Sequence, residues 1–141
     1  MRRTVLTTCI SGLVTCAAFL YFLGHRTDYV GHYSAGFGGT LIAIGIGVGL
    51  VSSDIDPARL SRIVLLLLVG AIGLGAVFEA TVFRIAVFDP VDFYNQSLGA
   101  TIAAISLLVN PPQLPMSGKD VRVLVMIGTF FLLVGFRYAF M

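Results

Sequence analysis

Apolar residues run along this chain in long stretches broken by short clusters of charge and turn residues, without the strict alternation that marks a half-buried strand. A helix needs about 20 largely apolar residues to cross the hydrocarbon core of a bilayer. Such runs cover about residues 4–23, 28–53, 60–83, 92–109 and 122–140, the second and fourth opening on polar lead-ins at Asp28 and Asp92. The pattern predicts an all-α fold: a polytopic membrane helix bundle of five transmembrane helices, forming one integral membrane domain over residues 1–141. The fourth run is the weakest, because its purely apolar part spans only residues 97–109 and a segment of that length also fits a re-entrant hairpin.

Lys and Arg set the orientation. With the N-terminus inside, Arg2, Arg3, Arg59, Arg62, Lys119 and Arg122 fall on the inner side, and Arg26, Arg84 and Arg137 on the outer one. That bias matches the tendency of basic residues to stay inside, and it puts the C-terminus outside. A re-entrant fourth segment would carry Lys119 and Arg122 outward and Arg137 inward, nearly erasing the bias. Five spans is therefore the expected count.

Composition removes whole classes of function. Hydrophobic residues make up 57% of the chain and charged ones 11%; soluble domains carry about 25% charged residues. Too few charges remain to coat a water-facing surface, and a formal net charge of +2 with so much apolar side chain is the opposite of a disordered composition. The nine basic residues are scattered singly or in pairs, so no nucleic-acid footprint forms. The expected setting is a cell membrane, crossed several times, with membrane lipids or a lipid-linked molecule as partners.

Arg2 and Arg3 ahead of an apolar run imitate a secretory signal. The run continues to Gly24 without a clear cleavage site, and Thr15 before Cys16 fits a lipoprotein site poorly, so a retained helix is expected. Cys9 and Cys16 lie on that one helix about 10 Å apart at the helical rise, too far to bridge, and read as small apolar packers. Glycines crowd the second run at Gly36, Gly38, Gly39, Gly45, Gly47 and Gly49 and the third at Gly70, Gly73 and Gly75. Gly45 with Gly49, Ala71 with Gly75, and Gly99 with Ala103 keep small residues four apart, which lets helix backbones approach closely, within the chain or between copies in a homo-oligomer. None sits between a strand and a helix, as a phosphate-cradling loop requires. Asn110 to Asp120, with Pro111, Pro112 and Pro115, reads as a linker.

In this topology the polar residues are lopsided. His25, His32, Tyr21, Tyr29, Tyr33, Tyr94, Tyr138, Asp28, Asp89, Asp92, Asn95 and Gln96 all fall toward the outer side, while the inner side holds Asp54, Asp56 and Asp120 with its basic residues. A structural account covers many of them: tyrosines as an interfacial belt, Asp28 and Asp92 as helix caps, Arg84 and Arg137 snorkelling outward. It does not cover Glu79, the one acid inside an apolar run, about 6 Å short of its outer end. An ionisable group at membrane depth tends to face the bundle interior and find a partner, for which Arg84, Arg137 and a bound proton are the candidates. Asp28 and His32 are four apart and project from one helical face, where a carboxylate would orient the imidazole. With Asp92 and Asn95 from the fourth helix, these residues form a candidate polar site opening outward. They include metal-ligand types, but no motif such as HExxH is present, and neither a metal nor a cofactor is expected. No serine or cysteine stands in a recognisable nucleophile setting, which leaves the question of catalysis open.

The run Asp28, three residues, His32, three residues, then Gly36 and Phe37, followed by an apolar helix, resembles the opening motif of VanZ-like membrane proteins. Glu79 fits that family's membrane acid, and Arg84, Asp92 and the Gln96 to Gly99 stretch resemble its closing pattern of an Arg, an Asp, then an Asn shortly before a Gly. The resemblance covers residues 28–99. It departs in having Gln96 where the family usually has Asn, with Asn95 one position early, and Ala80, Thr81 and Val82 where a second polar group often follows the acid. It implies a multi-span membrane protein whose site would draw on Asp28, His32, Glu79, Arg84, Asp92, and Asn95 or Gln96. The functional expectation is binding or modification of an envelope lipid or lipid-linked sugar. Its rivals are a proton- or ion-coupled carrier titrating at Glu79 and a non-catalytic membrane assembly subunit.

Overall fold

The computed structural model describes residues 1–51, 55–81 and 88–139. The fold is all-helical, with α1 (Arg2–Phe22), α2 (Thr27–Leu50), α3 (Pro57–Thr81), α4 (Pro90–Val109) and α5 (Gly118–Ala139). Four of them, α1, α2, α3 and α5, are long and apolar enough to cross a membrane. α4 has 20 residues, about 30 Å at the helical rise, but Asp92, Asn95 and Gln96 in its first two turns dilute its apolar character.

Three helices start earlier than their apolar runs because the first turn is specified by polar caps. Asp89 accepts a hydrogen bond from the Val91 N–H at 2.8 Å, with Pro90 opening α4. Asp56 accepts from the Arg59 N–H at 2.7 Å ahead of α3. At α5 the Ser117 N–H donates to Asp120 at 3.1 Å while the Asp120 N–H donates to the Ser117 hydroxyl at 3.2 Å, a reciprocal capping box. The cap of α4 is thus Asp89 and not Asp92, and the N-cap position of α2 is Arg26, whose side chain makes no cap hydrogen bond.

α2 is the central helix and packs against all four others. Its glycines determine how closely. A Cβ at Gly38 would collide with the backbone of Gly128 and Leu132, and one at Gly128 with the backbone of Gly38, so α2 and α5 touch main chain to main chain. The same face of α2 meets α5 from Gly31 and Ala35 beside Gly135 down to Gly49 beside Val121, which makes the two helices antiparallel. On another face, Gly36 lies on the Gln96 carbonyl and Gly99 on the Tyr33 carbonyl, and here α2 and α4 run parallel. Gly45 and Gly49 therefore form a seam within the chain, whereas Gly39, Gly70 and Gly73 have open space where a Cβ would stand.

The core is Tyr33, Phe37, Leu41, Ile44 and Val48 of α2 with Ala103, Ala104 and Leu107 of α4 and Leu124 and Phe131 of α5. Tyr33, expected in an interfacial belt, is instead fully buried between Phe19 and Phe37. Side chains such as Leu6 and Leu13 on α1, Leu66 and Val69 on α3, and Met126 and Leu133 on α5 face outward, the inverse of a water-facing surface. α1 is joined to its neighbours by hydroxyls. The Thr8 and Ser106 hydroxyls lie 3.2 Å apart, the Asn110 amide donates to Thr7 at 2.9 Å, and Cys16 meets Ser34 at 3.4 Å. These contacts set α1 antiparallel to both α2 and α4. The start of α2, the start of α4 and the end of α3 consequently share one end of the bundle.

Candidate functional site

At that end α2, α3 and α4 bring their polar side chains together, and the small residues make this possible. Gln96 is wedged between two glycines: its carbonyl lies on Gly36 of α2 and its side-chain amide over Gly75 of α3. With α4 seated so deeply, the residues one turn nearer the bundle end are drawn into contact. His32 Nε2 reaches Asp92 Oδ2 at 3.3 Å, with the two side chains 18% and 17% exposed. On α3, Glu79 stands one turn beyond Gly75, and it is only 6% exposed. The fields of His32, Asp89, Asp28 and Glu79 all reach Asp92, so these groups form one electrostatic cluster.

Asp28 takes a different partner from the one its spacing suggested. Arg26 closes on it as a fork, Nη2 to Oδ2 at 2.7 Å and Nε to Oδ1 at 3.1 Å, while the guanidinium lies 3.9 Å above the Tyr29 ring. These hydrogen bonds hold the Arg26 guanidinium pKa above its ordinary value. His32, left without Asp28, pairs across to α4 instead. Asp28 remains at the rim of the cluster with its charge largely spent on Arg26.

Six buried polar atoms have no hydrogen-bond partner among the described residues: Glu79 Oε2, Asp92 Oδ1 and the Asn95 amide nitrogen at this end of α3 and α4, and the hydroxyls of Tyr33, Thr40 and Ser97. Asn95 is only 4% exposed. Leaving such groups unpaired away from water is expensive, costing about 1–3 kcal/mol each and more for a charge. Native bundles seldom bear that cost several times at one place without a use for it. Arg137, expected near Glu79, lies exposed in the last turn of α5 and pairs with no acid among the described residues. Arg84 lies outside the described residues. Gln96, expected as a binding residue, acts through its wedge between Gly36 and Gly75.

Inward of the cluster the bundle is closed by the apolar core of α2 and α4, with Leu41, Ile44 and Val48 against Ala103, Ala104 and Leu107, and by aromatic packing between α1, α2 and α5. The Phe37 and Phe131 rings lie 4.6 Å apart by their centroids and press on Gly12, where a Cβ would have no room. The hydroxyl contacts of Thr8, Ser106, Thr7 and Asn110 lie beyond that plug, so the polar groups at the two ends are separated by the core. Among the described residues no three of His, Cys, Asp and Glu form a group that could hold a metal ion. Comparison of the chain with known protein families, with curated proteins and with solved structures yields no match.

Proposed function

We propose that this chain is a five-span membrane protein, N-terminus inside and C-terminus outside, that binds the polar headgroup of a membrane amphiphile between α2, α3 and α4 in the outer leaflet. The observation that carries this reading is the set of buried, unpartnered polar atoms on Glu79, Asp92 and Asn95, gathered at one end of a bundle whose outward side chains suit lipid. His32 and Asp92 lie at the rim and Glu79 and Asn95 behind them, so a headgroup entering from the membrane surface meets the His32–Asp92 contact first. The apolar core inward of the site, with Leu41, Ile44 and Val48 of α2 and Ala103 and Leu107 of α4, favours a site with one opening over a carrier, which needs a polar route to the other face.

An envelope lipid or lipid-linked sugar is the amphiphile this site would take, and the VanZ-like family is where we place the chain. Support for that placement comes from the motif positions themselves. His32 meets Asp92, and Gly36 meets Gln96, so the opening and closing parts of the pattern converge in space. The five-span reading takes α4 as the fifth crossing, and its 20 residues, packed alongside α2, support this. The test compares phospholipid and lipid-linked precursor composition in cells carrying the native chain, Glu79→Gln and His32→Ala at equal expression. A shift in one lipid class that both substitutions abolish is expected. Identical lipid profiles in all three strains would overturn the reading.

A further inference from the structure

We propose that the group held by this site is a pair of neighbouring hydroxyls, as a glycerol or sugar headgroup presents, and not an ammonium or a phosphate. The inference rests on the headgroup-site reading above and goes beyond it by naming the chemistry recognised.

The hydrogen-bonding needs of the site are mixed in sign. Glu79 Oε2 and Asp92 Oδ1 are acceptors in want of donors, and the Asn95 amide nitrogen is a donor in want of an acceptor. Glu79 and Asn95 are both more than nine-tenths buried, so water at the surface does not serve them freely. His32 holds the other Asp92 oxygen, Oδ2, which leaves Oδ1 as the free one on that carboxylate. An ammonium group carries donors only. It would satisfy the two carboxylates and leave the Asn95 N–H groups facing more N–H. A phosphate dianion carries acceptors only. It would suit Asn95 but face the carboxyl groups of Glu79 and Asp92, and the guanidinium of Arg26 is already forked onto Asp28. A hydroxyl does both, donating its hydrogen and accepting on its oxygen. Two adjacent hydroxyls can donate one to Glu79 and one to Asp92, while either oxygen accepts from Asn95. Of a lone ammonium, a lone phosphate and a hydroxyl pair, only the hydroxyl pair answers all three atoms with one kind of group.

The substitution Asn95→Asp follows from the same reasoning. It keeps the size of the side chain and replaces its donor by an acceptor, which turns the mixed set into one of acceptors only. That set should prefer an ammonium.

The experiment uses the purified full chain in phosphatidylcholine nanodiscs doped with one of four probes: phosphatidylglycerol, a monoglycosyl diacylglycerol, phosphatidylethanolamine or phosphatidic acid. The readout is the enrichment of the probe among lipids that stay with the protein after extraction into mild detergent. The native chain should retain a hydroxyl-bearing probe about tenfold over phosphatidylethanolamine and phosphatidic acid, the discrimination of one charge-assisted hydrogen bond. Retention of phosphatidylglycerol alone identifies a glycerol source, and of the glycolipid alone a sugar source. Asn95→Asp should move the preference toward phosphatidylethanolamine, an exchange that a merely structural side chain would not produce. Should that variant fail to fold, Glu79→Gln replaces it and should lower retention of the hydroxyl probe by about tenfold. Preferred retention of phosphatidylethanolamine or phosphatidic acid by the native chain would overturn the hydroxyl assignment while leaving the headgroup site in place. Equal retention of all four probes, unchanged by either substitution, would overturn both.

Discussion

His32 of α2 and Asp92 of α4 meet at 3.3 Å although the whole of α3 lies between their helices in the chain. Their contact ties the two parallel helices at the polar end of the bundle, while the glycine contacts of Gly36 and Gly99 tie them one turn further in. A double-mutant cycle on His32→Ala and Asp92→Ala should therefore show a coupling of about 1 kcal/mol in unfolding stability, the size usual for partly buried partners in direct contact. Strictly additive losses would mean that the imidazole and the carboxylate are neighbours without an interaction.

Gly36 should tolerate no side chain. A methyl group there meets the Gln96 carbonyl, which is main chain and cannot turn aside. Gly36→Ala is expected to lower stability by about 1–3 kcal/mol, the range for forced overpacking. Gly73→Ala, where open space surrounds the position, should be neutral or raise stability by up to about 1 kcal/mol through helix propensity. Thermal unfolding of both variants in the same detergent compares them directly, and equal behaviour would contradict the close packing of α2 on α4.

At the other end of the bundle, Ser106 donates its hydrogen to the Ala103 carbonyl at 2.8 Å, so Thr8 is the donor in the pair the two hydroxyls make. Ser106→Ala takes away the acceptor of a fully buried Thr8. The expected loss is about 0.6 kcal/mol, the average for interhelical hydrogen bonds in membranes, with an upper bound near ~1.7 kcal/mol. Chemical denaturation of the native and substituted chains measures it. Restoration of native stability by adding Thr8→Val to Ser106→Ala would attribute the loss to the orphaned hydroxyl.

The arrangement across the membrane has a direct chemical test. In a chain with Cys9 and Cys16 replaced by alanine, His25→Cys and Tyr94→Cys should react with a membrane-impermeant maleimide in intact cells, because both positions are exposed at the polar end. Lys119→Cys should react only after the cells are opened. Labelling of Lys119→Cys from outside would mean that α4 turns back before crossing.

How much of this was legible in the sequence depends on distance along the chain. The helices were, because an apolar run is a local property, and their early starts at Pro57, Pro90 and Gly118 differ from the runs only by capped polar turns. Glu79 was legible as a buried acid for the same reason, since an isolated charge in an apolar run has few places to go. The partner of His32 was not. Spacing of four puts Asp28 on the same face, but it says nothing of Arg26, two residues back, whose fork geometry competes for that carboxylate. Nor does a glycine in an apolar run reveal which helix it will meet. Gly75 looked like part of a seam with Ala71, and it proves to be the floor under the Gln96 side chain. The hydroxyls that anchor α1 left no signal, because single threonines and serines satisfy their own helix as readily as a neighbour, as Thr15 does on Ser11 and Thr101 on Ser97.

The glycine-to-glycine pairing of α2 with α5 bears on how the protein is made. Two further helices are synthesised between them, so α2 enters the bilayer before its principal partner exists. Until then its bare backbone edge, from Gly31 to Gly49, must be shielded by lipid chains or by the insertion machinery. Assembly of this fold is therefore completed by a lateral docking of α5 onto that edge, after α4 has taken the polar end of α2.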